Sequence, residues 1–232
     1  SCIFQPGTLT AIVGPNGAGK TTYFNLISGQ IKASSGEVLL NQRNLAGLSP
    51  SARTHAGLGR AFQLTNLFPH LTVLENVRLA VQATPNGAHK GGFNLWSVWS
   101  DHHALTEKAH TILETVAMAD KQHALVASLP HGDQRKLEVA LLMALDPLVY
   151  MFDEPTAGMS AEEAPVILNL IRQLKADKSK IILLVEHKMD VVRELADRII
   201  VLHNGQLVAD GEPNEVIASP IVQEAYLGVA PA

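Results

Sequence analysis

Short apolar runs alternate with helix-period segments along much of this chain, and the alternation predicts its fold class. The runs LTAIVG (ending at residue 14), LVYMF (148–152) and IILLVE (181–186) are bounded by Gly, Asp or Pro, as is typical of strands buried on both faces. Helical patterns follow them over Lys20–Ser28, 161–175 and Met189–Leu195. This order predicts an α/β core around a largely parallel sheet.

Two regions depart from this alternation. Between residues 64 and 128, the stretches TVLENVRLAVQ and HHALTEKAHTILETVAMA carry apolar positions at helical spacing and little strand pattern. We therefore predict a helical subdomain at 64–128 that interrupts a core formed by residues 1–63 and 129–232. Near the end, RIIVLHNGQLVADG joins two apolar runs at Asn204-Gly205, which predicts a hairpin and a small antiparallel β part.

The composition narrows the class of protein. The 232 residues can bury one good-sized core, and 18 Lys and Arg against 22 Asp and Glu give a net charge of -4 without like-charged runs, so nucleic acid is a poor candidate partner. The single cysteine, Cys2, excludes a disulfide framework, and no segment has the order of a signal peptide, so we expect an intracellular protein. The longest apolar stretch is broken by Asp146 and Pro147, so no membrane span is predicted.

The stretch GPNGAGKTT at 14–22 carries the strongest chemical signal. It fits G-x-x-x-x-G-K-[ST], directly after a predicted strand and at the start of a predicted helix. Its glycines let backbone N–H groups curl around phosphates, whose charge the helix N-terminus and Lys20 balance. We predict that Thr21 holds Mg²⁺; a glycine-rich turn that binds nothing is the alternative. The predicted nucleotide contacts in this loop are Asn16, Gly17, Ala18, Gly19, Lys20, Thr21 and Thr22.

A second signal is the acidic pair in VYMFDE at 149–154. Asp153 ends an apolar strand, where a carboxylate is costly unless it leaves the sheet at an active-site edge, and we predict that it binds magnesium, mostly through water. Glu154 points the opposite way if the strand continues, and it could deprotonate an attacking water as general base. The alternative is an acidic pair on the surface.

In this order, the motifs resemble those of the ATP-binding subunits of ABC transporters, and the resemblance covers nearly the whole chain. It includes GPNGAGKTT, the glutamine of GRAFQ, LPHGDQ, DEPTAGMS and VEHKMDVV. It implies a P-loop NTPase core of mixed, largely parallel sheet with an inserted helical subdomain, an ATPase activity, and ATP and Mg²⁺ as cofactors. It further implies that Gln63 joins the magnesium and water shell and that His187 contacts the terminal phosphate and supports Glu154 in catalysis. A core histidine is the alternative for His187.

LPHGDQ falls where this family has its signature, LSGGQ. In a head-to-tail dimer that segment contacts the nucleotide held by the other subunit. Pro130 and His131 replace the serine and first glycine, Gly132 is retained, and Asp133 stands in place of the glutamine. The resemblance still implies that these four residues approach the partner's nucleotide in trans, because the Gly132 N–H and the helix dipole remain. The departure favours a heterodimer over a homodimer. A metal site at His131 and Asp133 lacks a third ligand.

Two further departures concern the dimer and the base. Ser160 stands where the family's short loop after DEPT has an aspartate that crosses the dimer interface, so altered communication between two sites is expected. The family's adenine-stacking aromatic lies well upstream of the loop, whereas only thirteen residues precede Gly14, so we expect a shortened N terminus and an adenine-stacking residue outside this chain. Phe4 is expected in the core.

The segments RAFQLTNLFPHLTVLENV, GDQRKLEVA and VQEAYLG resemble the ATP-binding subunits of branched-chain amino acid importers. This implies a second ATPase subunit, two membrane permeases, a periplasmic binding protein acting indirectly, and a peripheral position on the cytoplasmic face of the inner membrane. A coupling helix would enter the groove beside Gln63. The segment 84–101 is predicted as a long loop whose aromatics close the subdomain core or face a permease.

Three alternatives stay open at this stage. Related ATPases serve urea, amides or lipopolysaccharide export. A soluble ABC ATPase of DNA repair or translation would usually show two cassettes, a coiled-coil insert or a basic arm. A P-loop phosphotransferase would need an acceptor pocket instead of a signature segment, and LPHGDQ and His187 disfavour it.

Overall fold

The structure, a computed structural model, describes residues 1–61, 67–84, 103–220 and 222. Its strands are β1 (Leu9–Val13), β2 (Leu39–Leu40), β3 (Arg43–Asn44), β4 (Leu58–Ala61), β5 (Val149–Asp153), β6 (Ile181–Val185), β7 (Arg198–His203) and β8 (Gln206–Gly211). Its helices are α1 (Lys20–Ser28), α2 (Pro50–His55), α3 (Val73–Gln82), α4 (His103–Thr115), α5 (His131–Leu145), α6 (Ala164–Ala176), α7 (Met189–Leu195) and α8 (Pro213–Ala218). Two short 3-10 turns occupy Ala119–Lys121 and Val126–Ser128.

The main sheet has six strands in the order β4-β5-β6-β1-β7-β8. Strands β5, β6, β1 and β7 run parallel, whereas β7 and β8 form an antiparallel hairpin. The hairpin turn is the predicted Asn204-Gly205, with φ of 49° and 74°. This mixed, largely parallel sheet confirms the predicted fold class.

Alternate side chains of the strands supply two apolar clusters, as the period of two in a strand requires. Ile12 belongs to one cluster, with Phe24, Met151 and Leu183, while its neighbours Ala11 and Val13 belong to the other. All five residues of β1 are buried. The near-continuous apolar runs in the sequence therefore reflect burial on both faces. Phe4 packs against the first cluster, in keeping with its predicted place in the core.

The chain divides into two compact units. The first contains Ser1–Arg60, Leu148–Pro155 and Arg172–Ala232, and the second contains Ala61–Pro147 and Thr156–Ile171. In the second unit, α3 packs against both α4 and α5. The predicted boundaries for core and subdomain stay a prediction; the observed division puts α5 in the second unit, whereas the sequence-based boundary put it in the core.

Two local differences separate the prediction from the structure. Helix α6 begins at Ala164 instead of 161, because residues 161–163 form its N-terminal turn. The small hairpin β2–β3 went unpredicted, since each strand has only two residues. The predicted loop at 84–101 lies almost wholly outside the described residues, as does the terminal VQEAYLG. No helix in the described ranges is both long and apolar enough to span a bilayer.

Candidate active site

Three adjacent parallel strands end at one edge of the first unit, and each is followed by one of the predicted motifs. The phosphate loop follows β1, the acidic pair Asp153 and Glu154 ends β5, and His187 comes two residues after β6, which lies between them. The carboxyl ends of parallel strands are where α/β proteins bind their ligands. The sheet order therefore brings together motifs that are more than one hundred residues apart in the chain.

The first glycine of the phosphate loop is required by close packing. A Cβ atom on Gly14 would lie 2.2 Å from the Leu202 carbonyl oxygen, a backbone atom of β7 that has little room to move. The turn after β7 braces the loop again, because the Gly205 N–H donates to the Ala18 carbonyl at 3.0 Å. The loop is thus held by the β7–β8 hairpin.

The loop ends at the N-terminus of α1, which is left open. Gly19 is the N-cap with a φ of 97°, a conformation that favours glycine, and the first turn has neither a side-chain cap nor an acidic residue. Uncapped N–H groups and the positive end of a helix bind anions such as phosphate. Around this turn Asn16, Gly17, Thr21 and Thr22 are exposed, Ala18 is buried and Gly19 is half-buried.

Lys20 folds back along the loop. Its Nζ donates to the carbonyls of Gly14 at 2.7 Å and Pro15 at 3.0 Å, and the residue is only 6% exposed. Burial lowers the pKa of Lys20, while the charges of Glu154 and Asp153 act in the opposite direction. The loop therefore holds a cation of its own, which donates its hydrogen bonds to two loop carbonyls.

Asp153 is held by a buried arginine. Its Oδ2 accepts from Arg60 Nη2 at 2.6 Å, and the two side chains are 12% and 7% exposed. A partly buried carboxylate is costly without such a partner. Asp153 is therefore no surface acid, and the alternative of an acidic pair lying at random on the surface fits this residue poorly.

Glu154 does not continue the strand, so the condition under which it was expected to point opposite Asp153 is not met. Strand β5 ends at Asp153, and Glu154 turns away with a φ of 50°, a left-handed conformation that is uncommon for residues other than glycine. Its N–H still donates to the Val185 carbonyl at 2.9 Å. His187 Nε2 donates to Glu154 Oε1 at 2.7 Å, and both side chains are more than one-third exposed, at 37% and 42%.

The oxygen groups at this site suit magnesium better than a metal ion whose ligands all come from the protein. Among the described residues no group of three or more His, Cys, Asp and Glu could hold a metal ion. Thr21 and Asp153 offer hydroxyl and carboxylate oxygens, which magnesium prefers, and this ion commonly takes one or two such groups plus water and phosphate oxygens. The residues present therefore fit a hydrated magnesium ion.

The signature-like segment opens α5 in the second unit. Pro130 is the N-cap, with no side-chain cap, and His131 begins the helix. The Asp133 carboxylate is 5% exposed and accepts from Lys121 Nζ at 2.5 Å and from Lys136 Nζ at 3.2 Å. Burial would raise the pKa of Asp133, but the hydrogen bonds from the two lysines outweigh it and lower the pKa below its ordinary value. The Asp133 side chain is thus committed within its own unit.

Ser160 begins a reciprocal cap that the sequence analysis missed. The Glu163 N–H donates to Ser160 Oγ at 3.2 Å, and Glu163 Oε2 accepts from the Ser160 N–H at 3.1 Å. This is a capping box, whose signature S-x-x-E is present in the printed sequence as SAEE. A Cβ atom on Gly132 would meet Glu163 Oε1 at 1.9 Å, so the same carboxylate lies against the backbone of the signature segment.

With this geometry in view, the family can be assigned. The model of the family described as "ABC transporter" matches residues 1–157. The chain belongs to the ABC transporter family. A relative from Escherichia coli K12, the high-affinity branched-chain amino acid transport ATP-binding protein LivG, is 36% identical over 97% of this chain and 89% of its own length. The corresponding protein BraF of Pseudomonas aeruginosa is 34% identical over 96% of this chain and 88% of its own length.

Solved structures of ABC ATP-binding cassettes share the fold. A nucleotide-free cassette from an ABC transporter aligns with a TM-score of 0.78 at 29% identity, covering 97% of this chain and 90% of that one. A cassette in its ADP conformation aligns with a TM-score of 0.77 at 30% identity over the same shares. These findings confirm the resemblance, the ATP-binding function and the ATPase class of this ABC protein.

Within this ABC cassette, the sequence predicted some site residues and missed others. Gln63 lies outside the described residues. Arg60, Lys121 and Glu163 were not predicted; Arg60 and Lys121 act through contacts that are not local in the sequence. Arg60 reaches Asp153 across 93 positions. For Glu163 alone, the SAEE pattern was a usable local signal.

Proposed function

We propose that this chain is the ATP-hydrolysing subunit of an ABC importer, with Glu154 as general base and His187 as the residue that holds it. The 2.7 Å contact between His187 Nε2 and Glu154 Oε1, at the strand edge that carries the phosphate loop, is the observation that best supports this. Glu154 accepts a proton from a water whose oxygen forms the new bond to the terminal phosphorus, while the bond from phosphorus to the bridging oxygen of ADP breaks. Lys20 and the α1 N-terminus stabilise the phosphate charge.

In this proposal Thr21 and Asp153 contribute oxygens to a magnesium ion, which neutralises phosphate charge when it is bound with ATP. Gln63 would join the magnesium and water shell, as the family resemblance implies. This chain would supply the Thr21 hydroxyl at the start of α1 and the Asp153 carboxylate, one oxygen of which accepts a hydrogen bond from Arg60.

We further propose that the chain works as one of two ATPase subunits, with the α5 segment facing the partner's nucleotide. A related cassette, 25% identical with a TM-score of 0.76, is described as dimeric in a post-hydrolysis state bound to ADP and phosphate. Because the Asp133 side chain is paired with lysines, the contact in trans would come from the backbone N–H groups of residues 131–133 and from the His131 side chain. A heterodimer is favoured, since the partner could carry the unaltered signature.

The transported solutes in this proposal are branched-chain amino acids, after the printed function of LivG and BraF. A permease segment would bind in a cavity of about 200 Å³ in the second unit. This cavity is lined by Leu71, Glu75, Arg78 and Leu79. Phe68, which precedes α3, is 54% exposed and Leu79 is 41% exposed, so apolar surface is available for a permease segment. In this proposal the chain lies at the cytoplasmic face of the inner membrane.

Phosphate release by the purified chain tests the catalytic part. Glu154→Gln keeps the size of the side chain and should lower the rate by about 10²-fold or more, the usual contribution of a general base, while ATP binding persists. Glu114→Gln, an exposed glutamate of α4, is the matched control and should leave the rate unchanged. Equal rates for Glu154→Gln and wild type would overturn the assignment.

Uptake tests the substrate. Cells whose only copy of this chain carries Glu154→Gln should lose uptake of labelled leucine, isoleucine and valine, and should take up urea and short amides as before. Loss of urea or amide uptake with normal leucine uptake would assign the chain to one of the related importers instead. Normal uptake of all these solutes would contradict the importer proposal.

A further inference from the structure

Arg60 connects three elements around the end of β5. It stands in β4, its Nη2 donates to Asp153 Oδ2 at 2.6 Å, and its Nη1 donates to Asn25 Oδ1 at 2.7 Å and Ser28 Oγ at 3.1 Å, both on α1. The guanidinium carbon also lies 5.3 Å from the ring centroid of Phe24. Both terminal nitrogens of the planar guanidinium are therefore engaged, Nη2 with the carboxylate and Nη1 with the helix that starts at the phosphate loop.

This arrangement restrains the Asp153 carboxylate more than an isolated ion pair would. The arginine side chain is 7% exposed. Because the guanidinium is planar, only a few orientations let it donate to Asn25 and Asp153 at the same time. Since α1 begins with Lys20 and Thr21, the same bridge relates Asp153 to the helix that carries both. Rigid support of this kind is what a binding site needs to keep its geometry within a fraction of an ångström.

We propose that Arg60 is a positioning residue for magnesium–nucleotide binding: its guanidinium fork locks Asp153 against α1, so that the carboxylate stands ready for the ion. This inference rests on the proposed role of Asp153 in holding magnesium. If Arg60 acted only as a neighbouring cation, it would repel magnesium, and its removal would strengthen magnesium binding. If Arg60 positions Asp153, its removal weakens magnesium binding.

The test is equilibrium binding of a fluorescent N-methylanthraniloyl ATP to the full chain with Glu154→Gln, which prevents turnover. Each variant is titrated with the nucleotide twice, once in excess magnesium and once in EDTA. The affinity in magnesium divided by the affinity in EDTA is called the magnesium factor. Arg60→Met should lower this factor at least about fivefold, while affinity in EDTA changes less than about twofold. Arg60→Lys keeps the charge but loses the fork, and it should also lower the factor.

The matched control is Arg172→Met, which removes an arginine paired with Glu194 on the surface of the same unit and should leave the factor unchanged. A double-variant cycle separates positioning from general damage. In an Asp153→Asn background, Arg60→Met should have no further effect on the magnesium factor, because the group that it positions has been altered. If Arg60→Met does not fold, Asn25→Ala and Arg60→Lys decide the question, and each should lower the factor.

Three results would overturn the inference. These are an equal loss of affinity in magnesium and EDTA, a higher magnesium factor without Arg60, and a wild-type factor in Arg60→Lys. If the parent chain itself shows no magnesium factor, or Asp153→Asn leaves it unchanged, the proposed role of Asp153 fails first. The two failures are therefore distinguishable.

Discussion

Two glycines, one in the phosphate loop and one in the signature segment, meet different kinds of atom. Gly14 lies against a backbone carbonyl of β7, at 2.2 Å from an added Cβ, whereas Gly132 lies against Glu163 Oε1, the end of a flexible side chain, at 1.9 Å. The first contact is fixed by the sheet, and the second can be relieved by a rotamer change. The phosphate loop is thus constrained by the fold, while the signature segment is constrained by an adjustable cap.

The same contrast extends to the polar groups. In the phosphate loop, the α1 N-terminus has no side-chain cap and no acid in its first turn, so its donors can meet a ligand. In the signature segment, the Asp133 carboxylate forms ion pairs with Lys121 and Lys136. The N–H groups at the start of α1 therefore have no side-chain cap, whereas the carboxylate in the first turn of α5 is held by two lysines.

The largest expected effect is that of Gly14→Ala. The new methyl group meets a backbone oxygen, and such overpacking should lower the free energy of unfolding by about 3 kcal/mol and abolish tight ATP binding. Urea unfolding and fluorescent nucleotide binding measure the two consequences. Gly36→Ala is the matched control, because Gly36 also has a positive φ, 78°, yet an added Cβ there meets nothing within 4 Å. A Gly14→Ala protein as stable as Gly36→Ala would contradict the difference in packing.

Lys121→Ala should have the next largest effect. It leaves the buried Asp133 carboxylate with Lys136 alone, and a loss of about 2 kcal/mol in the free energy of unfolding is expected from removing one hydrogen-bonded partner of that carboxylate. The measurement is urea unfolding at neutral pH. Lys108→Ala, an exposed lysine of α4, should change stability little. An equal effect of the two changes would show that Asp133 does not depend on Lys121.

The same carboxylate predicts a pH dependence. Because its folded pKa lies below its ordinary value of 3.8, ionised Asp133 adds stability that is fully present above that value and is lost as the pH falls through the folded pKa. The stability difference between wild type and Asp133→Asn should therefore be constant from neutral pH to about 5 and shrink below about 4. Urea unfolding across this range tests it. A difference that grows in acid would give the wrong sign for this mechanism.

The smallest expected effect is that of Gly132→Ala. The new methyl group should push the Glu163 side chain away, so the cost should be the loss of one capping interaction, about 1 kcal/mol. The prediction sharpens in combination, because Glu163→Ala removes the obstacle and the cap together. The double variant should then cost no more than Glu163→Ala alone, as measured by urea unfolding. Additive losses would mean that Gly132 is constrained by something other than Glu163.

Much of the fold followed from pattern alone. The bounds of α1 and α7 and the turn at Asn204-Gly205 agree with the periodicity, because their apolar residues repeat with the helix or strand period and the punctuation is strong. The start of α6 was predicted three residues early. Residues 161–163 fit a helical pattern, but in the structure they form the turn that follows the Ser160 cap. The conformation of Glu154 was not predicted, because strand alternation says nothing about where a strand stops.

The phosphate-loop motif, the acidic pair and the family resemblance could be recognised in the printed sequence, since they depend on residue types at fixed short spacings. The tertiary structure alone decided which partners those residues have. Arg60 holds Asp153, the β7 carbonyl excludes a side chain at Gly14, and His187 reaches Glu154, because the order β5-β6-β1-β7 brings distant strand ends together. A local motif specifies what chemistry is possible, whereas the packing of the sheet specifies which atoms are near enough to take part in it.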